Sequence, residues 1–449
     1  MKRILAMLLL MTAGPVLAQQ PAAEPTETEE ASSSEESTEQ KQTPTQQDQE
    51  SVFENLIKDP YNRRYGHAPG DGWISMPGTK TELRFGGFVQ LNVIHDFEDA
   101  GFPFGDFIPA QIPVPTEDTP NTEFDARTSR FTFETRTNIE DAGAVRTMIS
   151  MDFEGGDEEG SIQPRLRQAY VTWVGPLSHV SFTAGQAWST YLDLGVWPEL
   201  FDLEGPNAMT GTRQGLFRGS YAFGEEKNLV FDLALEQPET AVANGIGLRE
   251  LPDLVVRLNW QKDWGHLQGA AIGRQLVAES TAGTGKDSAF GWGLSLSGNW
   301  LVPGTKRKDA PTDDLGPRQD NIQFQIQGGS GTGRYVFDPG GAPTPQDAVY
   351  DDATAEINPL DEFGAFVAYH HWWTDKLRSE FVYGWVEMDN LTIQPASALG
   401  STTYAVANLV YRPFRRMDVG LEYYRGEREN KDGQTGDANR LLIAVNFGF

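Results

Sequence analysis

Short segments in which apolar and polar residues alternate follow one another from about residue 83 to residue 449. In Leu441–Phe449, every second residue is a large apolar one, and the residues between them are small or polar apart from Leu442. Side chains along a β-strand alternate between the two faces, so this pattern predicts a strand with one apolar face. A strand of a soluble sandwich shows the same alternation. An apolar strand running to a final Phe is also typical of the closing strand of an outer-membrane barrel.

We count about sixteen such segments, and their succession along most of the chain predicts an all-β fold. Sixteen is even, and it is close to the size at which an antiparallel transmembrane barrel encloses an aqueous lumen. The predicted strands are Leu83–Phe97, Asp125–Ile139, Val145–Phe153, Arg165–Val174, Val180–Gln186, Leu216–Phe223, Leu229–Glu236, Leu254–Lys262, Leu267–Val277, Phe290–Leu301, Ile322–Gly328, Phe363–Trp373, Leu377–Met388, Thr402–Arg412, Val419–Gly426 and Leu441–Phe449.

The links between these segments alternate in length. Tight turns lie at residues 141–143, 175–178, 224–227, 264–265, 374–376 and 413–416, with longer polar links between them. Short turns at one rim and long loops at the other are the pattern of outer-membrane barrels. The link 303–320 is longer than its place among the short turns predicts.

Aromatic residues mark the short-turn ends of the predicted strands. An interfacial girdle places amphipathic rings at one depth of the bilayer, whereas aromatics of a soluble core have no reason to recur at one end of alternate strands. The predicted girdle consists of Trp173, Phe223, Trp260, Trp300, Trp373, Phe414 and Phe449.

Given a barrel, the alternation also assigns polar side chains to the lumen. Arg165 and Arg167 share the parity of outward residues on their own strand, so the face on which they lie is left open: they face inward only if a bulge intervenes. An arginine-lined lumen attracts anions and can bind a carboxylate through two parallel hydrogen bonds. The basic residues predicted to face inward by parity are Arg130, Arg136, Arg146, Arg218, Arg257 and Arg274.

The long link 187–215 carries four carboxylates, Asp193, Glu199, Asp202 and Glu204, among large apolar residues. So apolar a loop would be costly in open solvent, and we therefore expect it to fold into the barrel. An acidic loop facing a basic wall would create a transverse field that orients polar solutes. The alternative is that these charges simply pair to satisfy a polar interior.

The N-terminal region differs from the rest of the chain. Lys2 and Arg3 precede an apolar run and small residues, which predicts a signal peptide at residues 1–18. Residues 19–72 are predicted to form a low-complexity acidic tail and linker, because residues 19–50 hold too few apolar side chains to offset chain entropy. Within this region, Ser51–Asp59 could form one or two helical turns, and Pro60–Gly72 is predicted to be a linker. The barrel domain is predicted at residues 73–449.

Composition narrows the classes of function. The net charge is −28, which argues against a nucleic-acid partner held by a basic surface. There is no cysteine, and mean hydropathy is −0.45, a value that a barrel with long polar loops can have. No HExxH, GxSxG, P-loop or CxxC motif occurs, so we expect no catalytic site, metal or cofactor. His95 and Asp96 are adjacent and could serve an outer-membrane hydrolase, but no motif places a serine beside them.

Several motifs in order resemble the DcaP-like trimeric outer-membrane porins. They are Gly87–Asn92, Phe107–Pro109, Ile112–Val114, Arg127–Phe131, Arg165–Tyr170, Gly185–Thr190, Pro198–Glu199 and Phe201–Asn207. The resemblance implies a sixteen-stranded trimeric barrel that passes small anions such as dicarboxylates. It also implies that Arg130, Arg136, Arg146 and Arg167 contact the solute. Family members often begin with a helical coiled coil, whereas residues 19–50 show no heptads.

The sequence therefore predicts a porin in the outer membrane of a Gram-negative cell, a homotrimer in lipid. Small, anionic solutes would diffuse through a constriction formed by Arg130, Arg136, Arg146, Arg167, Arg218, Asp193, Asp202 and Glu204. A general or sugar-selective porin is the first alternative, and a secreted soluble lectin or glycosidase is a more distant one. Phe449 is expected to be recognised by the barrel-assembly machinery.

Overall fold

A computed structural model describes residues 72–449, apart from 102–104, 157–161, 284 and 309–316. The predicted signal peptide at 1–18 lies outside the described residues, as does the predicted tail at 19–72 except for its last residue. No helix within the described ranges is long and apolar enough to cross a lipid bilayer.

Sixteen antiparallel strands form a closed barrel, as predicted. Each strand pairs with the next along the chain, and the last pairs with the first, with Phe88 opposite Gly448 and Asp96 opposite Arg440. Closure leaves no open strand edge in lipid. The strands are β1 (Thr81–Asp96), β2 (Arg130–Ile139), β3 (Gly143–Asp152), β4 (Arg165–Val174), β5 (Val180–Trp188), β6 (Arg213–Phe223), β7 (Leu229–Glu236), β8 (Asp253–Lys262), β9 (Gly265–Ser280), β10 (Lys286–Leu301), β11 (Asn321–Ser330), β12 (Asp361–Trp372), β13 (Leu377–Asp389), β14 (Leu399–Tyr411), β15 (Met417–Asn430) and β16 (Thr435–Gly448).

Burial along the strands follows the predicted alternation. In β16, Leu442, Ala444 and Asn446 are buried, whereas Ile443 and Val445 are exposed on the outer surface. Six of the seven predicted girdle aromatics are also exposed at the short-turn end, and Trp173 is half-buried because it stacks on Phe182. The barrel therefore presents an apolar band outward and a polar wall inward, as a bilayer requires.

Three irregularities adjust the strands locally. Gly87 in β1 has φ of +150°, and a Cβ there would lie 2.1 Å from the carbonyl oxygen of Arg130, so only glycine fits. The predicted strand Asp125–Ile139 is interrupted at residues 126–129, and only its first residue belongs to the separate strand Asn121–Asp125, which precedes β2. In β4, an extra residue turns Arg167 inward together with Gln168, which is the bulge that the parity required.

The remaining elements are short and lie mainly in the links. They are the strands Ile74–Ser75, Val242–Ala243, Gly245–Leu248, Ala348–Asp351 and Glu356–Pro359, the 3-10 helices Pro109–Gln111, Leu194–Val196 and Gly333–Tyr335, and the helix Phe337–Gly341. The long link at the short-turn end extends its hairpin, since Val302 N donates to Asp320 O and Arg307 N to Arg318 O. Arg307 also pairs with Asp375, so this link is fixed to the neighbouring turn.

Candidate functional site: a loop-narrowed lumen

The segment between β5 and β6, residues 189–212, crosses the lumen; we call it the constriction loop. Its large apolar side chains are buried, with Tyr191, Leu200 and Phe201 at most 2% exposed. They pack against inward residues of the barrel wall. The Phe201 ring lies so close to Gly420 of β15 that a Cβ added to this glycine would be 2.1 Å from the ring. The loop thus occupies the interior of the barrel, which explains how a link so apolar avoids water.

Two of the four loop carboxylates anchor the loop to the wall. Asp193 Oδ2 lies 2.9 Å from His266 Nε2 of β9 and accepts a hydrogen bond of 2.6 Å from Ser297 of β10. Glu199 accepts hydrogen bonds from Arg378 of β13, at 2.8 Å from Nε and 2.6 Å from Nη2. Both carboxylates have wall partners, so their first role is to position the loop.

The middle of the loop is held by its backbone. Phe201 N donates to both oxygens of Glu422 on β15, each at 3.0 Å, and Gln90 of β1 donates to Phe201 O at 2.9 Å. Asn207 donates to the Thr402 hydroxyl on β14 at 3.0 Å. The loop therefore contacts strands on several sides of the barrel and divides the lumen.

Two other long links also enter the lumen and bond to one another and to the constriction loop. From residues 97–129, Phe107 N donates to Asp202 Oδ2 at 3.0 Å, and Ala110 N donates to Asp338 Oδ1 at 2.9 Å. From residues 331–360, Phe337 N donates to Met209 O at 2.9 Å. Three links therefore occupy the interior of the barrel and contact one another, and the sequence predicted one of them.

Arginines concentrate on the wall formed by β2 to β6. These five strands carry seven arginines and only two carboxylates, Glu134 and Asp152. The predicted residues Arg130, Arg167 and Arg218 are between 2% and 8% exposed. Two carboxylates outside these strands, Glu82 and Glu154, pair with Arg136 and Arg165, so the seven arginines still outnumber these four carboxylates. An excess of fixed positive charge on one wall favours anions in the lumen.

The arginines differ in how they are paired. Arg146 donates from Nε to Glu134 at 2.8 Å, Arg136 pairs with Glu82, and Arg167 Nη1 lies 2.5 Å from Asp152. The predicted alternative of interior ion pairs is therefore realised at these three positions. At Arg218, by contrast, the buried Nε has no hydrogen-bond partner among the described residues.

The other two loop carboxylates, Asp202 and Glu204, interact with different arginines. Burial raises the pKa of Asp202 to about 7, while Arg440 of β16 opposes this shift. Burial and the neighbouring Asp106 carboxylate raise the pKa of Glu204 to about 8, while Arg213 and two further arginines of the wall oppose this shift. The structure thus brings Glu204 near the arginine wall and places Asp193, Glu199 and Asp202 against other strands.

Several charged residues in the interior of the barrel were not predicted as site residues from the sequence. Arg378 and Arg412 form a buried group with Asp418, in which Arg378 Nη2 lies 3.1 Å from Asp418 and Arg412 Nη2 lies 2.6 Å from it. Their inward parity was visible in the sequence, but nothing local marked their partners. Arg213, which lies over the Trp188 ring at 4.9 Å, was hidden because the predicted strand began three residues later.

A polar pocket of about 140 Å³ lies on the short-turn side of the constriction loop. It is lined by Asp193, Asp232, Arg257, His266 and Gln268, among others. Positive and negative side chains are mixed here, so this part of the lumen is polar without a dominant sign of charge.

The residues considered for a hydrolase site, His95 and Asp96, have separate partners in the barrel. His95 pairs with Thr122 at 2.8 Å and is half-buried, whereas the adjacent Asp96 is buried and pairs with Arg440. Neighbours in a strand point to opposite faces, so the two cannot act together. Within the described ranges, no group of three His, Cys, Asp or Glu residues could hold a metal ion.

Comparison with solved structures shows what this architecture resembles. The outer-membrane channel DcaP of Acinetobacter baumannii is 20% identical, with a TM-score of 0.70, over 84% of this chain and 100% of that one. The chain has a porin fold. An anion-selective porin from Comamonas acidovorans is 9% identical, with a TM-score of 0.55 over 82% of this chain and all of that one.

A third porin-fold neighbour is OmpT of Vibrio cholerae lacking loop L8, an outer-membrane protein. It is 13% identical, with a TM-score of 0.51 over 82% of this chain and 100% of that one. No protein-family model matches the chain, and a search of curated proteins finds no match either. The predicted resemblance to DcaP is therefore confirmed as a likeness of fold.

Proposed function

We propose that this protein is an outer-membrane porin of a Gram-negative cell that lets small, anionic solutes diffuse through its lumen. The observation that carries the proposal is the wall of β2 to β6, with seven arginines against two carboxylates, opposite the constriction loop. Fixed positive charge beside a low-dielectric wall raises the local concentration of anions. The likeness to a porin named as anion-selective agrees with this interpretation.

Dicarboxylate-like solutes fit this wall best. A guanidinium binds a carboxylate in the same plane through two hydrogen bonds, and several guanidiniums along one wall can bind two carboxylates at once. Arg130, Arg167 and Arg218 are the proposed solute contacts, and Asp202 and Glu204 of the constriction loop would orient the solute beside them. Arg136 and Arg146 remain proposed contacts and, like Arg167, already have carboxylate partners.

The cellular setting forms part of the same proposal. Residues 1–18 would be a cleaved signal peptide, the barrel would assemble as a homotrimer in the outer membrane, and Phe449 would be recognised by the barrel-assembly machinery. The short-turn end would then face the periplasm and the long-loop end the outside. The outward apolar band supports a lipid environment over the soluble lectin or glycosidase alternative.

One observation favours a general or sugar-selective porin as the second candidate. Gln323, Gln325 and Gln327 of β11 face inward in a row and are at most 7% exposed. Amide side chains both donate and accept hydrogen bonds, as hydroxyl groups of sugars do. A row of amides would therefore suit uncharged polar solutes.

Reversal potentials in a salt gradient across planar bilayers test the main proposal. We expect the unmodified channel to prefer anions, and the preference to fall stepwise on replacing Arg130, Arg146 and Arg167 by Gln. Arg415→Gln is a matched control, because Arg415 is exposed in a short turn. Cation preference in the unmodified channel would refute the proposal, and equal permeability with strong sugar flux would favour the second candidate.

A further inference from the structure

A tryptophan outside the sixteen strands covers part of the arginine wall at the short-turn end. Arg84 of β1, Arg136 of β2 and Arg146 of β3 face inward there, near the start of β1 and the turn that joins β2 to β3. Arg84 Nη2 lies 2.6 Å from Glu134, which Arg146 also contacts, and Arg136 pairs with Glu82. Three guanidiniums and two carboxylates leave this group with an excess positive charge.

The Trp73 ring lies over this group. Its centroid is 4.7 Å from Arg84 Cζ, 4.4 Å from Arg136 Cζ and 6.0 Å from Arg146 Cζ. A guanidinium within about 6 Å of an indole centroid is attracted by the negative face of the ring. One half-buried ring thus contacts three cations, and the side chains of these arginines are only 11% to 18% exposed.

The position of Trp73 follows from the pairing of the short strand beside it. Ile74 lies opposite Leu83 and Ser75 opposite Glu82, on the edge of β1 that β16 leaves open, since β16 ends opposite Phe88. By the same register, the next residue back lies beside Arg84 on the inward face. The backbone of this segment therefore holds the ring at the mouth of the lumen.

Among the residues that the structure describes, few other contacts hold this segment in place. The strand has two residue pairs with β1, and both Ile74 and Ser75 are exposed, Ile74 by 60%. Met76 N donates to Thr81 O at 2.9 Å, which closes the hairpin. The contacts of the Trp73 ring with the arginines are consequently a main attachment of the segment to the inner wall.

We propose that Trp73 determines conductance and anion preference at the periplasmic mouth of the channel, by covering Arg84, Arg136 and Arg146. This inference rests on the proposed porin function and adds to it a residue that limits access to the basic wall. With the ring in place, the guanidiniums contact an indole and two carboxylates. Without it, they face water and passing anions.

Single-channel recording of the full-length protein tests the inference. We expect Trp73→Ala to raise the conductance and to shift the reversal potential further toward that of chloride, and Trp73→Phe, which keeps a smaller ring, to shift both less. Trp300→Ala is the matched control, because that indole is exposed on the outer surface. If Trp73→Ala matches the unmodified channel in both quantities, the inference is wrong.

Chemical accessibility gives a second measurement that does not depend on conductance. The chain has no cysteine, so Arg136→Cys provides a single reactive thiol. We expect the anionic reagent 2-sulfonatoethyl methanethiosulfonate to modify it faster when Trp73 is replaced by Ala, and at an intermediate rate with Phe. Equal rates in all three backgrounds would contradict cover by the ring.

The two proposals can fail separately. A channel that prefers cations refutes the proposed function, whatever Trp73 does. The channel can also prefer anions while its conductance does not depend on Trp73, and while the rate of thiol modification in the Arg136→Cys background does not depend on it either. That result refutes only the inference. A difference in electrophoretic migration between unheated and heated protein identifies the folded variants to be compared.

Discussion

The contact between Glu199 and Arg378 should control how often the constriction loop leaves its position. Arg378 is 1% exposed and donates to Glu199 at 2.8 and 2.6 Å, and Asp418 remains 3.1 Å away if Glu199 is changed. Glu199→Gln keeps one acceptor oxygen and removes the charge. Because a hydrogen bond to a charged group contributes about 1.5–3 kcal/mol, we expect docking to weaken by about 2 kcal/mol.

A free-energy change of about 2 kcal/mol corresponds to roughly a 30-fold rise in the population of the undocked loop. Leu200 is fully buried beside Glu199, so a Leu200→Cys background reports undocking through the rate of thiol modification. We expect Glu199→Gln to raise that rate by roughly 30-fold when docking is fast relative to modification.

The matched control for Glu199→Gln is Glu225→Gln, in an exposed turn at the short-turn end. It changes the same chemical group and the same net charge without touching the loop. A modification rate for Glu199→Gln within about threefold of the control, where threefold is about 0.7 kcal/mol, would refute the anchoring role.

Three further predictions concern the loop and the barrel. Because the pKa values of Asp202 and Glu204 are raised to about 7 and about 8, lowering the pH from about 9 to about 6 neutralises both carboxylates. Reversal potentials should then show stronger anion preference, and Asp202→Asn with Glu204→Gln should weaken this pH dependence. Gly420→Ala should speed thiol modification in the loop, because its Cβ would lie 2.1 Å from the Phe201 ring, and adding Phe201→Leu should reverse part of the effect. Gly87→Ala should lower the yield of heat-modifiable barrel, because its Cβ would meet a backbone carbonyl of β2 at 2.1 Å.

The strands were predictable because their signal is local. Every predicted strand overlaps an observed one, and Arg165–Val174 and Leu229–Glu236 match to the residue. Each strand has lipid on one side and water on the other, so its residues alternate between apolar and polar. Every strand therefore shows this alternation in its own sequence. The parity conflict at Arg167 left its face open in the sequence, and the bulge in the structure explains the conflict.

The interior of the barrel was harder to predict, because its contacts join distant parts of the chain. Nothing near Glu199 indicates that its partner is Arg378, or that Asp193 pairs with His266 while Glu204 lies toward the arginine wall. The apolar character of the constriction loop showed that it must be buried, but not against which strands. Trp73 lies before the first predicted strand, where no periodicity assigns a face.

Hydrogen bonds between the three inward links connect surface and pore. Phe107, Asp202 and Asp338 belong to three different links, each of which also has residues at the long-loop end, and they are joined through two backbone donors and two carboxylates. A substitution or insertion in one of these links near the long-loop end would therefore shift the parts of the other two links that lie inside the barrel. The three links would be free to vary independently of one another only beyond the points where they enter the lumen.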